Sequence, residues 1–280
     1  VDVYSYFEEQ IPKVNRVLDA VIPAADAAPA QLHAAMRHIL FPGGKRLRPV
    51  LAIAAAEAVG APAERALPLA AAVELVHTYS LIHDDLPCMD DDAERRGVPA
   101  VHVAFGEAVA VLAGDALLAA AFEVLAQGSP GLEPDRLVAA SLELSRAAGS
   151  LALVGGQVED LVFDASDTNA QRIESVHARK SAALIAASIV GGALLGGADP
   201  ETVARLRRCG LAAGIAFQIA DDVLDEGEDD PCSLVRAVGV DAARERAESL
   251  LASALAELEE LGEKAEPLRE LVRFSVRRTV

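Results

Sequence analysis

Tryptophan is absent, and three tyrosines and seven phenylalanines bring the aromatic share of the 280 residues to only 4%. A core without large rings is built from Ala, Leu and Val, which suits closely packed helices and points to an all-α fold. Basic residues are outnumbered by acids, 25 against 43, for a net charge of −18. That excludes nucleic acid as an expected partner, because phosphate binding needs a surplus of Lys and Arg on one face. Three cysteines, Cys88, Cys209 and Cys232, form neither a CxxC pair nor a metal-ligand spacing. This argues against disulfides and a zinc site and fits free thiols in a reducing cytoplasm. The N-terminal stretch lacks the charged, apolar, small-residue order of a signal peptide and reads as an acidic amphipathic helix. It does not begin with Met, which implies trimming.

What the chain does have is helical periodicity, over roughly 12–21, 30–40, 49–59, 64–84, 104–127, 134–149, 151–164, 170–193, 200–226 and 241–262. Clusters of Gly and Pro separate these segments, with no fixed-period repeat and no clear strand alternation. The expectation is one all-α domain over 1–280. The run "SAALIAASIVGGALLGGA", 181–198, is uncharged for 18 residues and reaches the lower limit for a membrane span. It is read here as a buried Gly- and Ala-rich helix, because no second span or aromatic belt accompanies it; no membrane span is expected.

Against this apolar background, six carboxylates fall within eleven positions from Asp84 to Glu94, followed at once by Arg95 and Arg96. Two carboxylates about 4 Å apart repel by roughly 4 kcal/mol at an effective dielectric of 20, so such a cluster is either a solvated loop or a place for cations. Glu74, His77, Leu81 and Asp84 share one helix face, and Pro87 breaks the helix so that Asp90 bends back toward Asp84. A second stripe, Gln218, Asp221, Asp222 and Asp225, lies at i, i+3, i+4 and i+7. Its neighbours are too apolar for a solvated helix, so it is expected to line a polar cavity. All-oxygen ligands suit Mg²⁺, which binds one or two carboxylates together with substrate phosphate oxygens. Basic segments supply the complementary charge for a diphosphate. "GGKRLRP" places Lys45, Arg46 and Arg48 before Pro49, and Lys180 reads as a first-turn cation ahead of an apolar helix, where an anion would sit.

Taken together, GGKRLRP, then HxxxLIHDDxxxxD with RRG, then GQxxD (Gly156, Gln157, Asp160), then KS, then FQIxDDxLD, in this order and spacing, resemble the short-chain trans-isoprenyl diphosphate synthases. The resemblance runs from about residue 3 to 226 and more weakly to the C-terminus. It implies an isoprenoid-synthase helical bundle around a central cavity and a head-to-tail prenyl transfer from an allylic diphosphate to isopentenyl diphosphate. It assigns Asp84, Asp90, Asp221, Asp222 and Asp225 to Mg²⁺, three ions arriving with the diphosphate, with Asp85 behind them. Arg95, Lys180, Ser181 and Gln218 would contact the allylic diphosphate; Lys45, Arg48, His77 and Arg96 would bind isopentenyl diphosphate, and Gln157 belongs to the same substrate site. It further implies a cytoplasmic homodimer.

Chain length is expected to depend on Tyr79 and Ser80. Tyr79 lies five residues before Asp84, about 7.5 Å deeper along a helix, where it would act as a floor. An aromatic here with DDxxxxD resembles bacterial farnesyl diphosphate synthases, implying a C15 product, with geranylgeranyl diphosphate (C20) as the alternative. Two departures stand out. Ser181 and Ala182 occupy places where the family usually has Thr and Gly. The second Asp motif is followed by "EGEDDPCSLVRAVG", over 226–239, without the lysines of the family's closing loop and about a dozen residues short. Either the chain lacks that loop or a mobile stretch is missing from the sequence. Rival readings are a non-catalytic partner subunit, a terpene cyclase, and a ferritin-like di-iron protein suggested by the ExxH pairs Glu74–His77 and Glu174–His177.

Overall fold

A computed structural model describes residues 2–41, 43–227 and 230–277. Among these, fourteen α-helices follow in order: α1 Val3–Val21, α2 Ala30–Leu40, α3 Leu47–Ala58, α4 Leu67–Asp84, α5 Val101–Phe105, α6 Glu107–Gln127, α7 Pro134–Ala148, α8 Leu153–Leu161, α9 Ala170–His177, α10 Ala183–Gly196, α11 Pro200–Leu224, α12 Leu234–Val238, α13 Val240–Ala256 and α14 Glu266–Arg277. The only strands among the described residues are β1 Glu94–Arg95 and β2 Val98–Pro99, a short antiparallel pair that follows the first Asp cluster. The expected all-α fold is found. Helix starts are written locally: Asp2, Asn169 and Asp199 each accept from backbone N–H groups of the first turn, and Pro68, Pro134 and Pro200 occupy first-turn positions. Sequence periodicity overlooked α14, although Leu268, Leu271, Val272 and Val276 recur at helical spacing and are buried.

Two buried apolar clusters hold the bundle together. One joins α1, α2, α4, α6 and α7; the other joins α11, α13 and α14, and both α3 and α10 contribute to each. Helix α10 packs against α3, α7 and α11. Its small residues are the reason it fits. A side chain on Gly192 would collide with the Ala52 carbonyl of α3, and a Cβ on Gly214 of α11 would lie 2.5 Å from the Ala182 Cα. The buried reading of 181–198 therefore holds for α10. The expectation that no second span accompanies it does not. Three stretches, Glu107–Gln127, Pro134–Leu161 and Ala170–Gly196, are long and apolar enough to cross a membrane by length and composition.

The chain from α9 to α10 is continuous but not uniformly α-helical. Residues Ala178–Ala182 form a π-turn, so Lys180 and Ser181 stand in the middle of a long helix. The sequence reading that put Lys180 at a helix N-terminus is corrected accordingly. The extra residue of a π-turn widens the backbone and re-aims side chains, a feature found at functional sites.

Candidate active site

A cavity of about 470 Å³ opens between α3, α4, α8, the π-turn and α11. Its lining brings together the basic Lys45, Arg48 and Arg96 with His77, the acidic Asp84 and Asp221 with Arg95 and Lys180, and the polar Ser80, Gln157, Ser181 and Gln218. Segments as far apart in sequence as Lys45 and Phe274 thus meet at one place.

Each side chain is held by identifiable neighbours. Helix α4 ends at Asp84, and the Asp90 N–H donates to the Asp84 carbonyl at 2.9 Å, so the chain folds back at Pro87 as expected. Asp85 is fully buried and takes Arg95 Nε at 2.9 Å on Oδ1, while its Oδ2 has no partner among the described residues. Arg95 also bonds Asp92 at 2.8 Å. Asp90 lies in an adjoining cleft with Asp92, Asp160 and Asp230, which shares Lys180 with the main cavity. Lys180 Nζ donates to Asp160 Oδ2 at 2.6 Å. Gly156 allows this arrangement: a Cβ there would sit 2.7 Å from the Lys180 Cα, so α8 could not approach the π-turn with any larger residue. One position on, Gln157 is buried in the cavity wall, and neither amide atom has a partner among the described residues. Ser181 Oγ donates to Gln218 Oε1 at 2.7 Å.

On the basic side, Arg46 and Arg96 both adopt left-handed backbone conformations, φ 53° and 57°, which are costly for side chains of this size and occur where surrounding structure enforces them. Arg96 donates to the Ile39 carbonyl at 3.0 Å and covers Gly44. Arg48 Nη1 lies 3.4 Å from His77 Nε2. Arg46 differs from its neighbours: its guanidinium turns inward to Glu74 at 2.5 Å, both side chains nearly inaccessible. Its expected role as an anion-gripping cation is replaced by a structural one, and Glu74 is likewise accounted for.

Electrostatics confirm that this cavity is unbalanced as it stands. Burial pushes the Asp84 carboxyl up to about 7, and Asp90 and Asp85 add to the shift against the pull of Lys180 and Arg95. Burial likewise raises Asp85 and Asp90. Burial and then Arg48, Arg96 and the other nearby guanidinium groups hold His77 well below its usual value, so it is neutral. A divalent cation would relieve the raised carboxyls, and an anion the crowded guanidinium groups. The oxygen donors of Asp84, Asp90 and Asp221 suit Mg²⁺. Among the described residues no three His, Cys, Asp or Glu side chains converge as a metal cage.

Several expected residues stand elsewhere. Asp222 and Asp225 do not line the main cavity but an adjoining pocket of about 190 Å³ that shares Gln218. Asp222 Oδ2 accepts the Leu234 N–H at 2.7 Å, and burial raises its carboxyl to about 6. Tyr79 also lies outside the cavity lining: consecutive helix positions are about 100° apart, and its buried ring turns edge-on to His83, which bonds the Val111 carbonyl of α6. Ser80 lines the cavity. The di-iron reading loses its ligands, since Glu74 pairs with Arg46, Glu174 with Arg246, and His177 with the Cys232 carbonyl. Sequence reasoning left Asp160 and Asp230 without roles; Asp160 lies i+3 from Gln157 on one helix face, a legible signal, whereas Asp230 follows a turn and shows none. The short segment over 226–239 contains α12, and its residues 228 and 229 lie outside the described residues.

The polyprenyl synthetase family profile matches residues 29–275. The large subunit 1 of the heterodimeric chloroplastic geranylgeranyl pyrophosphate synthase of Arabidopsis thaliana is 44% identical over 268 residues, covering 89% of this chain and 72% of that one. The chloroplastic geranylgeranyl pyrophosphate synthase of Catharanthus roseus is 42% identical, covering 98% and 80%. A solved FPP/GFPP synthase from Zymomonas mobilis superposes with a TM-score of 0.90 at 36% identity over 99% of both chains. A geranylgeranyl pyrophosphate synthetase from the archaeon Geoglobus acetivorans gives 0.86 at 31%, again over 99% of both. These likenesses define an all-α isoprenoid-synthase fold with prenyltransferase chemistry. The chain belongs to the polyprenyl synthetase family.

Proposed function

We propose that this chain condenses isopentenyl diphosphate head-to-tail with dimethylallyl or geranyl diphosphate in a Mg²⁺-dependent reaction, with farnesyl diphosphate as main product. The observation that carries the reading is one cavity whose lining gathers the carboxylates of Asp84 and Asp221 with the cationic side chains of Lys45, Arg48 and Arg96. Mg²⁺ would supply charge neutralisation of the leaving diphosphate at Asp84, Asp90 and Asp221. Arg95, Lys180 and the Ser181–Gln218 pair bind and orient that diphosphate as the allylic C–O bond ionises. Lys45, Arg48 and Arg96 grip the second diphosphate, and neutral His77 donates to it without adding a buried charge. The apolar side chains Leu81, Leu153, Leu184 and Phe217 keep water from the allylic cation. Asp85, Asp222 and Asp225 support the ligands beside them, Asp85 by holding Arg95 and Asp222 by anchoring α12.

The C15 product is supported by the buried Tyr79 ring behind Ser80 on the α6 side of α4. A C20 product is the second reading, favoured by the position of Tyr79 outside the cavity lining and by the names of the plant relatives. A homodimer is supported by exposed apolar side chains along α6 to α8, among them Leu112 at 58%, Val138 at 67% and Leu151 at 88% exposure; sedimentation at twice the chain mass tests it. Incubation with Mg²⁺, isopentenyl diphosphate and each allylic primer, followed by sizing of the products, tests the activity. Mostly C15 is expected, and mostly C20 establishes the second reading. No turnover in the absence of a partner subunit overturns both.

A further inference from the structure

The C-terminal helix α14 sends Phe274 into the lining of the main cavity. The apolar part of that lining divides between the two cores. Leu81, Leu153 and Leu184 belong to the cluster built on α4 and α6, whereas Leu47, Phe217 and Phe274 pack against the cluster of α11, α13 and α14. Helix α14 lies against α3 and α11, the helices that carry Leu47, Arg48 and Phe217, and the Arg48 guanidinium stands 6.0 Å from the centre of the Phe217 ring. Phe274 is therefore on the Arg48 side of the cavity. Its ring is braced from behind by the start of α1. Tyr4 meets it at 5.8 Å between ring centres and 83°, and Phe7 at 5.3 Å and 63°, both edge-to-face. Phe7 is buried, Tyr4 is 64% exposed, and both lie outside the cavity lining.

We propose that Phe274 is a specificity-determining residue for the five-carbon co-substrate: its ring, braced by Tyr4 and Phe7, bounds the space left for the isopentenyl carbons. The proposal rests on the reading of Lys45 and Arg48 as the grip on isopentenyl diphosphate. Once those cations hold the diphosphate, the carbon tail leaves water for the apolar surface on the same side, which Leu47, Phe217 and Phe274 supply. Leu47 and Phe217 are set by the same helices that carry the site's charged groups. Phe274 comes from a separate helix, and two aromatic edges on its outer side keep its ring from yielding. A fixed stop matters for so small a substrate, because one methylene changes selection in an apolar pocket by about 10- to 200-fold. Tyr4, exposed and outside the cavity, acts through Phe274 as a positioning residue.

The test offers the full chain, with Mg²⁺ and geranyl diphosphate, either isopentenyl diphosphate or its homologue carrying ethyl in place of the methyl branch. Phe274→Ala is expected to raise KM for isopentenyl diphosphate and to shift the kcat/KM ratio toward the homologue, each on the order of tenfold, with KM for geranyl diphosphate unchanged. Tyr4→Ala should shift the ratio the same way by about two- to threefold without lowering the melting temperature, and should add nothing in the Phe274→Ala background. Phe274→Leu, which keeps an apolar group for folding, should give an intermediate ratio. A merely structural role lowers kcat/KM for both co-substrates alike. An unchanged ratio in Phe274→Ala and Phe274→Leu, a rise in both KM values, or a Tyr4→Ala effect that persists without the Phe274 ring overturns the proposal. If Arg48→Ala leaves KM for isopentenyl diphosphate unchanged, the reading of the grip fails, and the proposal falls with it.

Discussion

The backbone N–H of Asp90 donates to the carbonyl of Asp84 at 2.9 Å, which folds the first acidic motif back on itself, with Asp84 lining the main cavity and Asp90 the cleft that adjoins it. Burial, with Asp90 and Asp85 adding to it at Asp84, makes such carboxylates hold their protons. Burial pushes the Asp84 carboxyl up to about 7 and that of Asp222 up to about 6, from an ordinary value of 3.8.

A raised carboxyl means that the folded chain keeps protons the unfolded chain has already released. Stability without Mg²⁺ therefore falls as pH rises from about 4 to about 7. Melting temperature measured from about pH 5 to pH 7.5 is expected to decrease, and Mg²⁺ with pyrophosphate should raise it more at the upper end, since the cation and the proton compete for the same oxygens. A flat profile with equal ligand stabilisation throughout would contradict the placement of these carboxylates.

Arg46 and Arg48 are two residues apart and should behave oppositely. Arg46→Ala leaves the buried Glu74 unpaired and is expected to lower stability by about 3–5 kcal/mol in denaturant unfolding. Arg48→Ala should leave stability nearly unchanged and raise KM for isopentenyl diphosphate on the order of tenfold, the loss of one charge-assisted contact.

Gly156→Ala tests the approach of α8 to the π-turn. The added methyl group has no room beside Lys180, and the expected cost is about 1–3 kcal/mol of unfolding free energy, as in other overpacked sites. Activity should fall further than stability, because the displaced backbone carries both Lys180 and Ser181.

Tyr79→Met keeps the site apolar and removes a buried hydroxyl that has no partner among the described residues. If the ring limits the growing chain, product analysis will show a shift from C15 toward C20 and longer. Unchanged product sizes would leave Ser80 and the cavity wall as the limit.

Legibility followed the range of the interactions involved. The stripe of Gln218, Asp221, Asp222 and Asp225 was visible because i, i+3, i+4 and i+7 is a property of any α-helix, and so was the turn at Pro87. The inward rotation of Arg46 was not, because it depends on a left-handed turn and on a glutamate 28 positions away. Nor was the position of Lys180 within a π-turn, since that interruption leaves no mark on apolar periodicity.

By itself, the sequence determined an all-α chain, the order of its acidic and basic motifs, and the residues available for diphosphate and Mg²⁺, because periodicity, capping and charge spacing are local. Only the tertiary structure decided how those residues divide. Asp221 faces the cavity while Asp222, about 100° around the same helix, is bonded to the start of α12. Which neighbour meets a given face is settled by packing between distant segments, and no local pattern contains that information.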